Sequence, residues 1–261
     1  MKPTLFYSWQ SDAPDEVCRG FIEAALNKAI DEQKGEGLTL ASPIRLEKDT
    51  TGESGTPDIP STILTRIRDA AVFVGDLTLV GTAGQRGKKK KTPNPNVLVE
   101  YGYAAASMGW DRIIAVMNEA PPFGTFEKQI FHLRHRRKPM CYSYSLSETA
   151  FSSVHEAEGE LSRRLSMAIK ACLSASHLRA DKLLARLDAK TAKLMRLAGQ
   201  APFFALGVHE ATFQTEIIRL LDLELLRYDH SAEAQKYAYH WTYYGDIVLK
   251  KLGIRSQTPK A

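Results

Sequence analysis

The sequence predicts an α/β protein, with a mostly parallel sheet in its amino-terminal half and a helical part after it. Two observations carry this expectation. Up to about Leu146, short β-rich apolar runs alternate with stretches of helical period, the pattern of successive βαβ units. From about Ser152 the texture changes, and VHEAEGELSRRLSMAIKACLS and HLRADKLLARLDAKTAKLMRLAG carry helix formers on every face.

The elements follow in order. LFYSW (Leu5 to Trp9) is the first strand. A helix is predicted from about Asp15 to Gln33, where Phe21, Ile22, Ala25, Leu26, Ala29 and Ile30 recur near helical period and GEG closes the pattern. The second strand spans Pro43 to Lys48, followed by the Gly/Pro-rich loop DTTGESGTPDIP and a short helix from Ser61 to Ala70 with Ile63, Leu64 and Ile67 inward. AVFVGD (Ala71 to Asp76) reads as a buried central strand, and GTAGQRGKKKKTPNPN as a mobile basic loop. The helix that begins at PNPNVLVEYGYA precedes two more strands, RIIAVMN (Arg112 to Asn118) and PMCYSYS (Pro139 to Ser145). Past the long helices, two short helices, candidate strands around LLRYD and KYAYHWT, and YYGDIVLKKLG complete the chain. These textures divide it into an α/β domain over 1–147, a helical connector over 148–200 and a small domain over 201–261.

Composition excludes several classes. The 261 residues are 44% hydrophobic and 25% charged, ordinary for a globular protein with a sizeable core. No stretch approaches the roughly 20 apolar residues of a transmembrane helix, and MKPTLFYSWQ lacks a signal peptide's apolar region, so a cytoplasmic protein with no membrane partner is expected. Cys18, Cys141 and Cys172 are odd in number and widely spaced, which predicts neither disulfides nor a zinc site. No His, Cys and carboxylate cluster has metal-ligand spacing and GxSxG is absent, so neither a metal nor a serine nucleophile is expected. The net charge of +5 owes much to the run Lys88 to Lys91, weak support for nucleic acid. That run reads as a solvated loop or, less favourably, as a contact to substrate phosphates, and HLRHRR (His132 to Arg137) as an exposed strand flank or a pyrophosphate contact.

One carboxylate stands out. Between Pro93 and Trp110, Glu100 is the sole carboxylate in a segment of apolar and small residues. Asn94 followed by Pro95 is a good helix start, which places Glu100 in the second turn on the face of Asn96 and Tyr103. In a parallel sheet such a helix begins beyond the carboxyl ends of the strands, where ligands bind. Gly102 leaves room there for a close approach by backbone or ligand. The plain alternative is a helix residue paired with an arginine. Ser8, Trp9, Gln10 and Asp12 after the first strand, Asp49 after the second and Asp76 at the end of the third would gather at the same edge, forming a hydrogen-bonding cleft suited to a sugar or nucleoside. Trp9 is a ring to stack on a base, or else core packing. Ser8, Gln10 and Asn96 would hold ribose hydroxyls or phosphate oxygens, with helix capping as the other reading of Asn96. Asp49 and Asp58 bracket the loop after the second strand, which turn formation alone also explains.

The set FYSWQSD, a Gly/Pro loop ending in PDIP, VFVGD, PNPNVLVEYGYA and RIIAVMN, over about the first 145 residues, resembles bacterial TIR-like domains. The VGD, PNPNV and E.GYA parts are also similar to nucleoside 2-deoxyribosyltransferases, in which a Glu at the matching place attacks the sugar. The resemblance implies a flavodoxin-like fold and breakage of an N-glycosidic bond, with Glu100 at the anomeric carbon. A carboxylate there stabilises the cationic sugar of the transition state. Because nicotinamide leaves NAD neutral and needs no proton, one Glu suffices for NAD as substrate and no cofactor is expected. A nucleoside would need an acid as well, which Asp76 or Asp12 would supply.

The resemblance further implies an NAD glycohydrolase of antiphage defence that self-associates through its TIR domain and responds to a nucleotide signal or partner protein. The carboxyl-terminal order, with Thr-x-x-Gly before an apolar helix, resembles a winged-helix module. Its TFQTEIIRLLDLELL segment carries more acidic than basic residues, which disfavours DNA binding relative to a regulatory or dimerising role. Two alternatives stay open: a non-catalytic nucleotide-binding or TIR-assembly module, and a nucleoside or nucleotide N-glycosylase.

Overall fold

TLFYS, with bulky apolar residues at Leu5, Phe6 and Tyr7, forms strand β1 (Thr4–Ser8), buried from Leu5 to Ser8. Such a run with no polar alternation belongs to a strand buried on both faces. The computed structural model describes residues 3–35, 44–49, 58–85, 89–129, 133, 138–147, 151–201, 203–204, 210–231 and 236–255. After β1 come a short 3-10 turn (Asp15–Val17), α1 (Arg19–Gly35), β2 (Arg45–Glu47), α2 (Ile59–Asp69), β3 (Val72–Asp76), β4 (Gly81–Ala83), β5 (Lys90–Thr92), α3 (Pro95–Met108), β6 (Ile113–Asn118), β7 (Met140–Tyr142) and α4 (Phe151–Leu184). The chain then continues through α5 (Ala189–Ala198), β8 (Phe203–Phe204), α6 (Glu210–Asp222), β9 (Leu226–Ser231), β10 (Lys236–Trp241) and α7 (Tyr243–Lys251).

Five strands form one parallel sheet in the order β2-β1-β3-β6-β7, the order of doubly wound flavodoxin-like sheets. The build direction reverses between β1 and β3, which pair with Phe6 opposite Phe73 and Ser8 opposite Gly75. One face of the sheet carries α2 and α3, whose Ile67, Val97, Tyr101 and Ala104 pack on Phe6 and Phe73. The helical period expected for α1 is realised: Phe21, Ile22, Ala25, Leu26, Ala29 and Ile30 are all buried. On α1's side of the sheet, Phe21 stacks on Tyr142 and Tyr144 at 5.0 and 4.9 Å between ring centroids.

The chain divides into two compact units, 2–173 and 174–261, and the division falls inside α4. In the second unit Leu194, Leu220, Leu225, Trp241 and Val248 form a core of their own under an antiparallel sheet ordered β8-β10-β9. Asp246, buried in α7, is ion-paired to Arg255 and Lys250. Burial would raise its carboxyl, but these cations hold it below the usual range.

Two expectations change. The basic segment read as a mobile loop contains the antiparallel hairpin β4–β5, anchored where the Lys91 ammonium donates to the Pro122 and Phe123 carbonyls. Gly102 is not a point of close backbone approach, because a Cβ built there meets nothing within 4 Å. Among the described residues, no helix is long and apolar enough to cross a membrane and no three His, Cys, Asp or Glu side chains are grouped to hold a metal ion.

Candidate functional site

The pleat separates the residues expected to gather at the carboxyl edge of the sheet. Side chains alternate along a strand, so Ser8 shares the face of Phe6, toward α2 and α3, while Asp76 shares that of Val74 on the opposite side. Gly75, beside Ser8 in register, lets α3 come close: a Cβ there would meet Tyr101 Cδ2 at 3.3 Å and Phe73 Cε1 at 3.0 Å. This close seating brings the residue before Tyr101, the half-buried Glu100, to the Ser8 hydroxyl.

The pair has unusual electrostatics. Burial pushes the Glu100 carboxyl above its ordinary range, and the Ser8 hydroxyl pulls it part of the way back. Ser8 is 1% exposed, and its Oγ has no hydrogen-bond partner of standard geometry within the protein. A buried hydroxyl calls for a partner, and the Glu100 carboxylate is the group beside it. Beside a carboxylate it is placed to hold that group.

Asp76 has a different position. It is 0% exposed, and Oδ1 accepts from the Thr78 N–H at 3.0 Å and the Thr78 hydroxyl at 2.5 Å, while Oδ2 accepts from Gln10 Nε2 at 3.3 Å. Burial raises its pKa, and these bonds oppose the rise. Gln10, 2% exposed, also accepts from the Asp12 and Ala13 N–H groups at 2.6 and 3.1 Å. Asp76 and Gln10 therefore shape the loops after β1 and β3.

Trp9 is committed as well. Its indole N–H donates to the Lys48 carbonyl at 2.9 Å, tying β1 to the end of β2, and the Arg19 guanidinium lies 3.6 Å above the ring. Asp49 is half-buried, and its carbonyl accepts from Arg66 at 2.6 Å. Residues 50–57 of the following loop lie outside the described residues, as does all of HLRHRR except Leu133. Asp58 caps α2. Asn96 is exposed in the first turn of α3, one turn before Glu100.

Asn94 is the cap of that helix, accepting from the Asn96 and Val97 N–H groups at 2.8 and 3.4 Å, and its own amide donates to Asp12 at 2.7 Å. Asp12 in turn lines a cavity of about 580 Å³. Pro14, Val17, Leu79, Pro122, Phe123 and Leu146 give it apolar walls, and Thr82, Lys91, Ser145 and Ser147 add polar groups. Neither Ser8 nor Glu100 is among its lining residues. Asn118 underlies this region: its amide donates to the Val17 and Tyr144 carbonyls at 2.9 and 2.8 Å. The sequence marks Lys91 only as the end of a basic run, read as a solvated loop or a phosphate contact, and Asn118 only as the end of a strand. Asn118 ends a buried strand of a parallel sheet, the signal that would have found it. Burial pushes the Cys18 and Cys141 thiols up to about 12, so neither is a thiolate nucleophile at neutral pH.

No protein-family model matches the chain, and no curated protein matches it.

Proposed function

We propose that this protein cleaves the bond between nicotinamide and ribose in NAD, with the Glu100 carboxylate stabilising or capturing the cationic anomeric carbon. The observation that carries the reading is the Glu100–Ser8 pair, a half-buried carboxylate held by a buried hydroxyl at the carboxyl edge of β1. A carboxylate partly withdrawn from water interacts more strongly with a developing cation. Ser8 would hold and orient the Glu100 carboxylate.

NAD is favoured over a neutral nucleoside because the carboxylates nearest this edge are committed elsewhere. Asp76 is enclosed by Thr78 and Gln10, and Asp12 gives one carboxylate oxygen to Asn94 and lines the neighbouring cavity, which neither Glu100 nor Ser8 lines. Nicotinamide, which departs without a proton, asks for neither. Asn96 would reach ribose or phosphate oxygens, while Trp9, Gln10, Asp49 and Asp76 serve by fixing the surrounding loops.

In this reading residues 1–147 act as a TIR-like domain of a cytoplasmic antiphage effector, assembling with further copies and answering to a nucleotide signal or partner protein. The reading of the carboxyl-terminal unit as a winged helix draws support from its β8-β10-β9 sheet and the interruption of α6 at Phe213. A regulatory role suits it better than DNA binding, because on α6 Arg219 is engaged by Asp188 and Glu216 faces Lys190.

The test is nicotinamide release from NAD by wild type and Glu100→Gln, with nucleosides as parallel substrates. Loss of a single electrostatic group of this kind is expected to cost roughly 10²- to 10³-fold in turnover in a folded variant. A wild-type rate in Glu100→Gln would overturn the assignment, and cleavage confined to nucleosides would replace NAD as the substrate.

A further inference from the structure

Neither Glu100 nor Ser8 lines the 580 Å³ cavity, and it is a built feature rather than a gap between loops. Four connections meet around it: those after β1 (Asp12, Pro14, Val17), β3 (Leu79, Val80 and the hairpin), β6 (Pro121 to Phe123) and β7 (Ser145 to Ser147). Hydrogen bonds tie these connections to one another. Asn118 donates to the Val17 and Tyr144 carbonyls, joining the first and last. The Tyr142 hydroxyl donates to the Val17 carbonyl at 2.7 Å, and Lys91 joins the hairpin to the Pro122 and Phe123 carbonyls. Walls cross-tied in this way persist without a ligand, which lowers the ordering cost of binding. The volume falls within the range of small-molecule sites, roughly 300–1,000 Å³.

Its chemistry selects a class of occupant. Pro14, Leu79, Pro122 and Phe123 suit the flat apolar faces of a heteroaromatic ring. Lys91 is the cation among the lining residues; an ammonium has three donors, and two of them meet the backbone carbonyls. The third donor and the net charge remain for an anion. Asp12 uses Oδ2 for Asn94, which leaves Oδ1 to accept from a ring amino group.

We infer that this cavity is a second ligand site, one that takes a purine nucleotide with its ring against the proline and phenylalanine walls and its phosphate on Lys91. The site does not depend on Glu100 chemistry, so it stands or falls separately from the proposed cleavage of NAD.

Calorimetric titration of the full chain with adenosine 5′-monophosphate and with adenosine tests it, because the ratio of the two affinities isolates the phosphate contact. A charge-assisted bond of this type predicts wild-type binding of the nucleotide about tenfold or more tighter than of the nucleoside. That ratio should fall to near one in Lys91→Gln, persist in Lys91→Arg, and remain unchanged in Glu100→Gln. Equal affinities in wild type, no binding of either probe, or a ratio that survives Lys91→Gln would overturn the proposal. Loss of nucleotide binding in Glu100→Gln would overturn it too, by moving the ligand to the other site.

Discussion

At the scale of the residue, the Glu100–Ser8 pair makes a prediction about pH. A carboxyl held above its ordinary value keeps its proton to higher pH, so the acid limb of kcat/KM is expected above that of an ordinary Glu, near 4.3. The Ser8 hydroxyl stabilises the ionised form, so Ser8→Ala should move that limb further up while leaving the rate on the neutral plateau less affected. Profiles of both proteins between about pH 4 and 8 measure this, and an unmoved limb in Ser8→Ala would remove the hydroxyl from the site. The same shift bears on stability. Between the unfolded and folded pKa values of Glu100 the folded state holds more protons, so its stability falls as pH rises through that window. Glu100→Gln escapes that loss and should be no less stable than wild type at neutral pH. Glu100 was legible as a lone carboxylate in an apolar helix, whereas the separation of Ser8 from Asp76 was not. Alternation places the two on opposite faces only once the register of Ser8 with Gly75 and the face covered by α3 are fixed.

At the scale of the element, the start of α3 joins helix formation to the site. Asn94 does two jobs, capping the helix through its carbonyl oxygen and reaching Asp12 through its amide nitrogen. Asn94→Ala should cost about 1 kcal/mol from the cap, measured as a lowered urea midpoint with an unchanged slope. Asn94→Ser keeps a capping oxygen and loses the amide, so it should recover most of the stability, and a Ser variant as weak as Ala would make the Asp12 bond the larger contribution. Helix and strand types were legible here because Asn-Pro, helical period and buried β-rich runs are local signals. The hairpin β4–β5 was not, because its three-residue strands carry no apolar alternation and the Lys91 anchor lies on a loop that follows a later strand. Charge in the sequence concealed a lysine that works inward.

At the scale of the molecule, the two units raise the question of how they unfold. Their division escaped the sequence because α4 runs unbroken for 34 residues, with helix formers and no proline to mark a boundary between Leu173 and Ser174. What the sequence did convey was the strand pair β9–β10 and the helix after it, though not β8, and the Thr-x-x-Gly that caps α7: the Thr242 hydroxyl accepts from the Gly245 N–H at 3.1 Å. Gly245 offers a way to perturb one unit alone. A Cβ there would stand 2.1 Å from the Leu225 carbonyl oxygen and 3.3 Å from Trp241 Cε3. Leu225 cannot readily withdraw, because it is fully buried and its carbonyl accepts from the Thr242 N–H at 3.1 Å. Gly245→Ala is therefore expected to destabilise 174–261 by about 1–3 kcal/mol or more through overpacking. Native-state hydrogen exchange resolves the effect by segment. Faster exchange confined to α6, β9, β10 and α7, with β1, β3 and β6 unchanged, would mean that the two units open separately. Equal acceleration in both would mean that α4 couples them into one cooperative structure.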